Sequence, residues 1–381
     1  MRGYAWHYQT VALFICGVMA AGIAGCSLGT APEPSVDQGL GADLSMLLPT
    51  DAAIDASVVS VGDMASLCGE LPDGGGPLLI ASGQKNPTGI AVDGTMVYWA
   101  NSGDGTVVKC PLAGCQGNPI SVGKGSAPFS LLVDGNSVYW VNLFSSIQKC
   151  PLAGCGNNPP VTYAKGNTKA AGIAINATTL YWTEVETGYV ASCPLAGCDS
   201  ANVLYAGPAG PSYGIAMDSS YLYWLNNYTA DVLRAPLMGV PDGGTPMLLA
   251  HGTGGEAFAT IDSSQIYWTE YSEPGSVLAV PLTGLPDGGT PQVFASGQAH
   301  PKGIVVDKGC GKLYWVTSGT GKVNDAGVDP SSAVFRCSAS GCSGSPTVFA
   351  PNQRGPIYLT QDHDYVYWSN YSDGTVWRQH K

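Results

Sequence analysis

Seven Tyr-Trp pairs punctuate the chain, and the residue two places after each Trp is polar: Asn101, Asn142, Glu184, Asn226, Glu270, Thr317 and Asn370. Carboxylates among amide oxygens suit a hard divalent cation or the hydroxyls of a sugar, because such ions take oxygen ligands. Glu184 and Glu270 are the candidate metal ligands of that set, and no other cofactor is implied. The plainer reading is that each side chain caps its own turn or bonds the neighbouring repeat. A second group precedes the apolar stretch of each repeat: Asn86, Lys169, Tyr213, Glu256, His300, Lys302 and Arg354. Glu256 and His300 fall in consecutive repeats and could form a general acid–base pair. Signature chemistry is missing from the sequence: it has no Gly-x-Ser-x-Gly elbow, His-Glu-x-x-His helix, phosphate-binding loop or dinucleotide fingerprint.

These positions recur because the chain repeats itself from residue 84 onward. The unit is Gly-Ile-Ala-Val-Asp, a short turn, then Val-Tyr-Trp-x-Asn. Its Trp residues, Trp99, Trp140, Trp182, Trp224, Trp268, Trp315 and Trp368, are spaced by 41, 42, 42, 44, 47 and 53 residues. A period in the low forties built of short strands signals a four-stranded propeller blade. The fold class expected is therefore all-β: a seven-bladed β-propeller of four-stranded antiparallel blades. In the first unit the innermost strand A is expected at Gly89–Asp93 and strand B at Met96–Asn101. Strand C is expected at Thr106–Cys110 and the outermost strand D at Pro119–Val122. The Trp of strand B should pack between blades. The Asp residues closing strand A (Asp93, Asp134, Asp218, Asp262, Asp307, Asp362) are explained by turn formation. The seventh unit runs only through strand C, and residues 77–82 copy a strand D, so the N-terminal strand should complete the last blade and remove its free edge. Ligands are then expected over the channel mouth, where the D–A and B–C loops bring Asn101, Asn142, Glu184, Asn226, Glu270, Glu256, His300 and Arg354. The longest B–C insertion, Ser318–Ser332 with Asn324, Asp325 and Asp329, overhangs the same mouth.

Composition agrees. Charged residues make up 12 %, with 52 Gly and 27 Pro, which favours short strands and tight loops over long helices. The net charge of −12 excludes a general nucleic-acid binder, which needs a basic face. A monomer is expected.

Eight of the twelve cysteines form four Cys-x4-Cys pairs in equivalent C–D connections: Cys110/Cys115, Cys150/Cys155, Cys193/Cys198 and Cys337/Cys342. In units four and five both members vanish together, as Ala235 and Val240 and as Val280 and Leu285. Paired loss is what a disulfide across a hairpin mouth produces, where facing residues are close enough to bridge. Zinc is the competing reading, but x4 spacing without histidine fits it poorly. Outside the N-terminal segment Cys68 and Cys310 remain. Cys68 takes the second-cysteine position of blade seven and Cys310 an A–B loop of blade six, so a Cys68–Cys310 bond locking the ring is expected.

The N-terminus carries an address. Arg2 precedes an apolar run from Val11 to Ala24, too short to span a bilayer. It ends in Ile23-Ala24-Gly25-Cys26, which resembles the lipobox of bacterial lipoproteins. The resemblance implies a signal peptide over 1–25, lipid attachment at Cys26, and a membrane partner through that lipid. Ser27 in place of Asp points to the outer membrane within the cell envelope. Residues 26–67 contain no Lys or Arg and read as a flexible acidic tether, leaving 68–381 as the propeller domain.

The Tyr-Trp-x-(Asn/Glu) units resemble the YWTD repeats of low-density-lipoprotein-receptor propellers and their bacterial relatives. The match covers every unit, but this chain has seven units where those propellers have six, and no Asp at the fourth motif position. That resemblance implies fold first, and then a non-catalytic module binding a protein or a glycan. A metal-dependent enzyme of the lactonase or streptogramin-lyase propeller type is the alternative, and a structural scaffold for envelope assembly the second.

Overall fold

The computed structural model describes residues 75–381 except 116, 144, 165–169, 199, 207–211, 241–243, 253–254, 325–328 and 343–344, and the side chains of 164, 212, 213, 256 and 257. The expected signal peptide, Cys26, the tether and Cys68 lie outside the described residues.

Four-strand meanders repeat seven times, each forming one antiparallel sheet. Blade 1 has strand A at Pro87–Val92, B at Met96–Asn101, C at Thr106–Pro111 and D at Ile120–Lys124. Strand B matches the expected bounds to the residue, and the other three lie within two residues of theirs. Strands A of blades 2 to 7 are Pro128–Val133, Ala170–Ile175, Ser212–Met217, Glu256–Ile261, Pro301–Asp307 and Pro356–Gln361. The strand Leu78–Ala81 pairs antiparallel with Thr375–His380 and so supplies strand D of blade 7, as expected.

Period-two geometry explains the Tyr-Trp pair, since adjacent strand residues point to opposite faces. Each Trp faces the preceding blade: Trp140 packs with Val122 of blade 1, and Trp368 with Phe349 and Ala350 of blade 6. Tyr98 faces blade 2 instead, in a cluster with Leu131 and Val138. All seven motif Trp residues are fully buried. Burial of an indole contributes about 4–6 kcal/mol before entropy is counted, so these rings form the main cement between blades.

The Tyr hydroxyls are anchored too. Tyr98, Tyr223, Tyr267 and Tyr367 donate to Asp93, Asp218, Asp262 and Asp362 at 2.6–2.7 Å, and Tyr139 donates to Asp134 at 3.1 Å. The other oxygen of each Asp accepts backbone N–H groups of the A–B turn, as at Ser264 and Gln265. Asp307 departs from this: its second oxygen meets Lys381 Nζ at 2.9 Å, tying blade 6 to the last strand of blade 7.

Near the axis the backbones are crowded. A Cβ on Gly89 would lie 2.3 Å from the Phe129 carbonyl oxygen, and one on Gly303 2.9 Å from that of Ile357. Glycine in the inner-strand motif is therefore needed for close approach of neighbouring blades. The axis itself is closed by aromatic rings from blades 2, 5 and 7. Tyr358 meets Phe129 at 5.5 Å and Phe258 at 5.1 Å, both edge to face. Its hydroxyl lies 3.5 Å from Ser130 Oγ.

All four Cys-x4-Cys pairs are disulfides: Cys110–Cys115, Cys150–Cys155, Cys193–Cys198 and Cys337–Cys342, with Cα atoms 5.0–5.5 Å apart. Their placement corrects the hairpin-mouth expectation. Cys110, Cys150, Cys193 and Cys337 belong to strand C, but Cys115, Cys155, Cys198 and Cys342 lie in the C–D connection, before strand D begins. In blade 1 the C–D ladder ends at Lys109 opposite Ile120, so neither Cys110 nor Cys115 faces the other across it. The bond instead closes a tight turn within the connection, where four intervening residues bring the chain back over the end of strand C. Burial follows from that placement. Cys110, Cys150 and Cys193 are buried in the sheet while Cys115, Cys155 and Cys198 are half-buried; in blade 6 Cys342 is the buried member and Cys337 the half-buried one.

The closed turns also touch the preceding blade. Cys115 N–H donates to Ile80 O at 3.4 Å and Cys155 N–H to Val122 O at 2.8 Å. In blade 5 Leu285 makes the same reach, to Leu249 O at 2.9 Å, and packs into the core in place of the bond. Cys310 is disulfide-bonded; Cys68, its expected partner, is outside the described residues.

Candidate functional site

The polar residues two places after each Trp share the face of that Trp, because i and i+2 do so in a strand. They therefore enter the blade junctions. Asn101, Asn142, Asn226, Glu270, Thr317 and Asn370 are all buried, and Glu184 is half-buried. Asn101 Nδ2 donates to Thr106 across its own B–C turn and to Gln84 of the incoming D–A loop, both at 3.0 Å. Asn370 repeats this with Thr375 and Gln353. Asn142 bonds Ser146, Asn226 accepts from the N–H groups of Tyr228 and Thr229, and Thr317 donates to Ser331 O. Glu184 accepts from Trp182 Nε1 and from Thr187 Oγ1. Turn capping and junction bonding thus engage positions expected to line the mouth. Among the described residues no group of three His, Cys, Asp or Glu is placed to hold a metal ion.

The D–A loops do reach the loop face. The residue before strand A takes a left-handed conformation in several blades, with φ of 53° at Asn86, 52° at Ala127, 51° at His300 and 62° at Gly355. His300 therefore occupies a structural position. Its Nδ1 lies 2.9 Å from Gly319 O, its ring rests 5.0 Å from that of Tyr271, and its Nε2 is 3.9 Å from Glu273. Glu256 starts strand A of blade 5 with its Cα opposite Glu270; its side chain, like that of Tyr213, is outside the described ones, as is all of Lys169. In the long insertion Asp329 accepts from Gly321 N at 2.6 Å and from Ser331, so it organises its own loop. Burial opposes its ionisation, yet these hydrogen bonds outweigh it and hold the carboxyl below its ordinary value. Asp325 is outside the described residues.

One buried charge stands out from the sequence expectation. Lys302 in strand A of blade 6 is almost wholly enclosed, with its ammonium 5.3 Å from the centre of the Tyr271 ring. Burial lowers its pKa to about 8. The signal was a lysine at a position that is Thr88, Phe129, Ala171 and Ile357 in other blades.

Two clefts open at blade junctions. One of about 230 Å³, between blades 4 and 5, is bordered by His251, Glu270, Ser272, Pro274, Ser276 and Thr290. The other, about 320 Å³, lies between blades 6 and 7 and includes Arg354 and Trp377. Arg354 is one of the residues expected at the mouth; Trp377, directly opposite Trp368, is not, although a second Trp nine residues after the motif Trp marks it in the sequence.

No protein-family model matches the chain, and no curated protein matches it. Solved structures do. A virginiamycin B lyase from Staphylococcus aureus superposes with a TM-score of 0.61 at 14 % identity, over 80 % of this chain and 98 % of that one. The WD40 β-propeller domain of Doa1 gives 0.59 at 13 %, over 80 % and 96 %. A chain of a nidogen/laminin complex gives 0.48 at 16 %, over 62 % and 86 %. Likeness at such identities defines the class as β-propeller and nothing narrower.

Proposed function

We propose that this chain is a lipid-anchored β-propeller of the cell envelope that acts as a non-catalytic module binding a protein or a glycan. The observation that carries the reading is how the polar groups near the axis are used. Tyr358, Phe129 and Phe258 close the axis, and the Trp-x-Asn side chains are engaged in holding blade to blade. What remains for ligands is shape and hydrogen bonding at the blade junctions. The alternative, a metal-dependent lyase-type propeller, has in its favour the fold shared with virginiamycin B lyase.

Thermal melting with Ca²⁺, Mg²⁺, Mn²⁺ or excess chelator separates the two readings. A bound ion at a hundred times its dissociation constant stabilises by about 2.7 kcal/mol. The binding reading expects no shift. A shift abolished by Glu184→Gln or Glu270→Gln would overturn it in favour of the enzyme. The address is checked separately: labelled palmitate should enter the chain expressed in a bacterial host, and Cys26→Ser should abolish the label.

A further inference from the structure

The seven junctions are copies of one design, so a junction that departs from it is informative. The strand C residue opposite the motif Trp is Val108, Gln148, Ala191, Leu233, Leu278 and Phe335 in blades 1 to 6, and Trp377 in blade 7. Trp377 is only half-buried and borders the cleft between blades 6 and 7. Its Nε1–H donates to Thr375 Oγ1 at 2.7 Å, which fixes the ring in place.

A buried acceptor borders the same cleft. Asn370 is 1 % exposed, and its amide hydrogens go to Gln353 Oε1 at 2.9 Å and Thr375 Oγ1 at 3.1 Å. Its Oδ1 has no hydrogen-bond partner among the described residues. Asn101 and Asn142 have the same unpaired oxygen, and all three oxygens are enclosed; of the three residues, Asn370 also borders this cleft. At the rim stand the exposed Arg354 and Asp373, a donor of fixed charge and an acceptor.

A ligand for this set must lay an apolar face on an indole and offer both donors and acceptors to the charged rim. A simple anion answers Arg354 alone and is opposed by Asp373. A pyranose ring answers all of them, with C–H groups on one face and hydroxyls around its edge. The cleft of about 320 Å³ sits at the small end of ligand pockets, which run from roughly 300 Å³ upward. We propose that the junction of blades 6 and 7 is a carbohydrate site sized for a single pyranose residue, held by Trp377, Arg354 and Asp373 over a wall that includes Asn370. This rests on the binding-module reading above and narrows it to one ligand class.

The test uses the full chain with D-glucose, D-galactose, N-acetyl-D-glucosamine and D-glucuronate as probes, read by saturation-transfer NMR and tryptophan fluorescence. At least one sugar should receive saturation on its ring C–H protons, and Trp377→Ala should weaken it by about tenfold or more, as loss of an aromatic anchor does. Arg354→Ala alters an exposed side chain, and Asp373→Asn keeps the oxygen that caps Thr375; both should leave the fold intact by near-UV circular dichroism and should each weaken binding as well. No transfer to any probe would overturn the proposal, as would binding unchanged in all three variants. Displacement of the sugar by inorganic phosphate alone would reduce the cleft to an anion site, and that too would overturn it. A sugar-negative result beside metal-independent melting removes this site only. A metal-dependent shift lost in Glu184→Gln or Glu270→Gln with no sugar bound favours the enzyme reading over the binding module, and sugar bound at the junction keeps the binding module.

Discussion

Five of the seven motif tyrosines, Tyr98, Tyr139, Tyr223, Tyr267 and Tyr367, donate to an Asp five residues before them, and that pairing sets how the protein responds to pH. Burial first, then the hydrogen bond and negative charge of Asp262, raise Tyr267 well above its ordinary value of 10.0. Tyr98, Tyr223 and Tyr367 are raised in the same way. Stability from these phenols is complete below pH about 10 and is lost as pH climbs toward the folded values, because the unfolded chain ionises first. Alkaline titration followed at the phenolate absorbance should therefore show these tyrosines ionising together with unfolding. The carboxyls act at the other end. Burial opposes ionisation of Asp262, but hydrogen bonds from Tyr267, Ser264 and Gln265 outweigh it and hold the group below its ordinary 3.8. That contribution is present above pH about 3.8 and is lost as pH falls through the folded value. Tyr267→Phe removes donation to Asp262 and to Ala339 O. It should cost about 1–3 kcal/mol in urea denaturation, because a buried acceptor is left unpaired.

At the scale of the element, the repeat is a set of contacts between blades more than within them. The C–D turns of blades 1, 2 and 5 bond back to the previous blade, the first two held in shape by Cys110–Cys115 and Cys150–Cys155 and the third by apolar packing of Leu285. Basic side chains reach forward: Lys109 donates to Leu152 O and Arg234 to Leu282 O, each lying beside a tyrosine ring of its own blade. The inner strands tolerate the least. An alanine at Gly303 would press its Cβ to 2.9 Å from the Ile357 carbonyl oxygen, and backbone cannot yield as a side-chain tip can. Gly303→Ala should destabilise by about 1–3 kcal/mol, the usual cost of overpacking. A calorimetric melt checks it, with Gly94→Ala as a control that has open space but a strained φ of 87°. The period-two rule also shows what the sequence already contained about the polar ring. A residue two after a buried Trp shares its face, so Asn101 and Asn370 were bound for the junctions.

Across the whole molecule, closure of the ring makes every blade depend on one pairing. Leu78–Ala81 completes blade 7 against Thr375–His380, Gln84 N–H donates to Gly374 O at 2.9 Å, and Ser369 Oγ donates to Thr88 O at 2.7 Å. Ile80 is buried in this seam. Ile80→Asp would bury an unpaired carboxylate and should cost upward of about 3 kcal/mol. Unfolding followed by tryptophan fluorescence and by far-UV circular dichroism should then move to lower urea together, because loss of this pairing opens the edge of blade 7 and breaks the ring.

The sequence by itself determined the seven blades, the strand B boundaries of the first, the ring closure through residues 77–82 and the four disulfides. All of these are local or repeat-borne: alternation, turn glycines and paired cysteine loss are written several times over and need no knowledge of what lies across the axis. Tertiary structure decided the rest. Where each disulfide sits depended on the strand ends: Cys115, Cys155, Cys198 and Cys342 fall past the ladder, in the turn, because strand D starts only after them. That Phe129, Phe258 and Tyr358 meet depends on residues 100 or more apart in the chain, in blades whose inner strands show no shared motif there. The half-buried Trp377 beside Asn370 and the enclosed ammonium of Lys302 are departures from the repeat. Their meaning came from the neighbouring blade, whose distance and orientation are fixed only when the circle is closed.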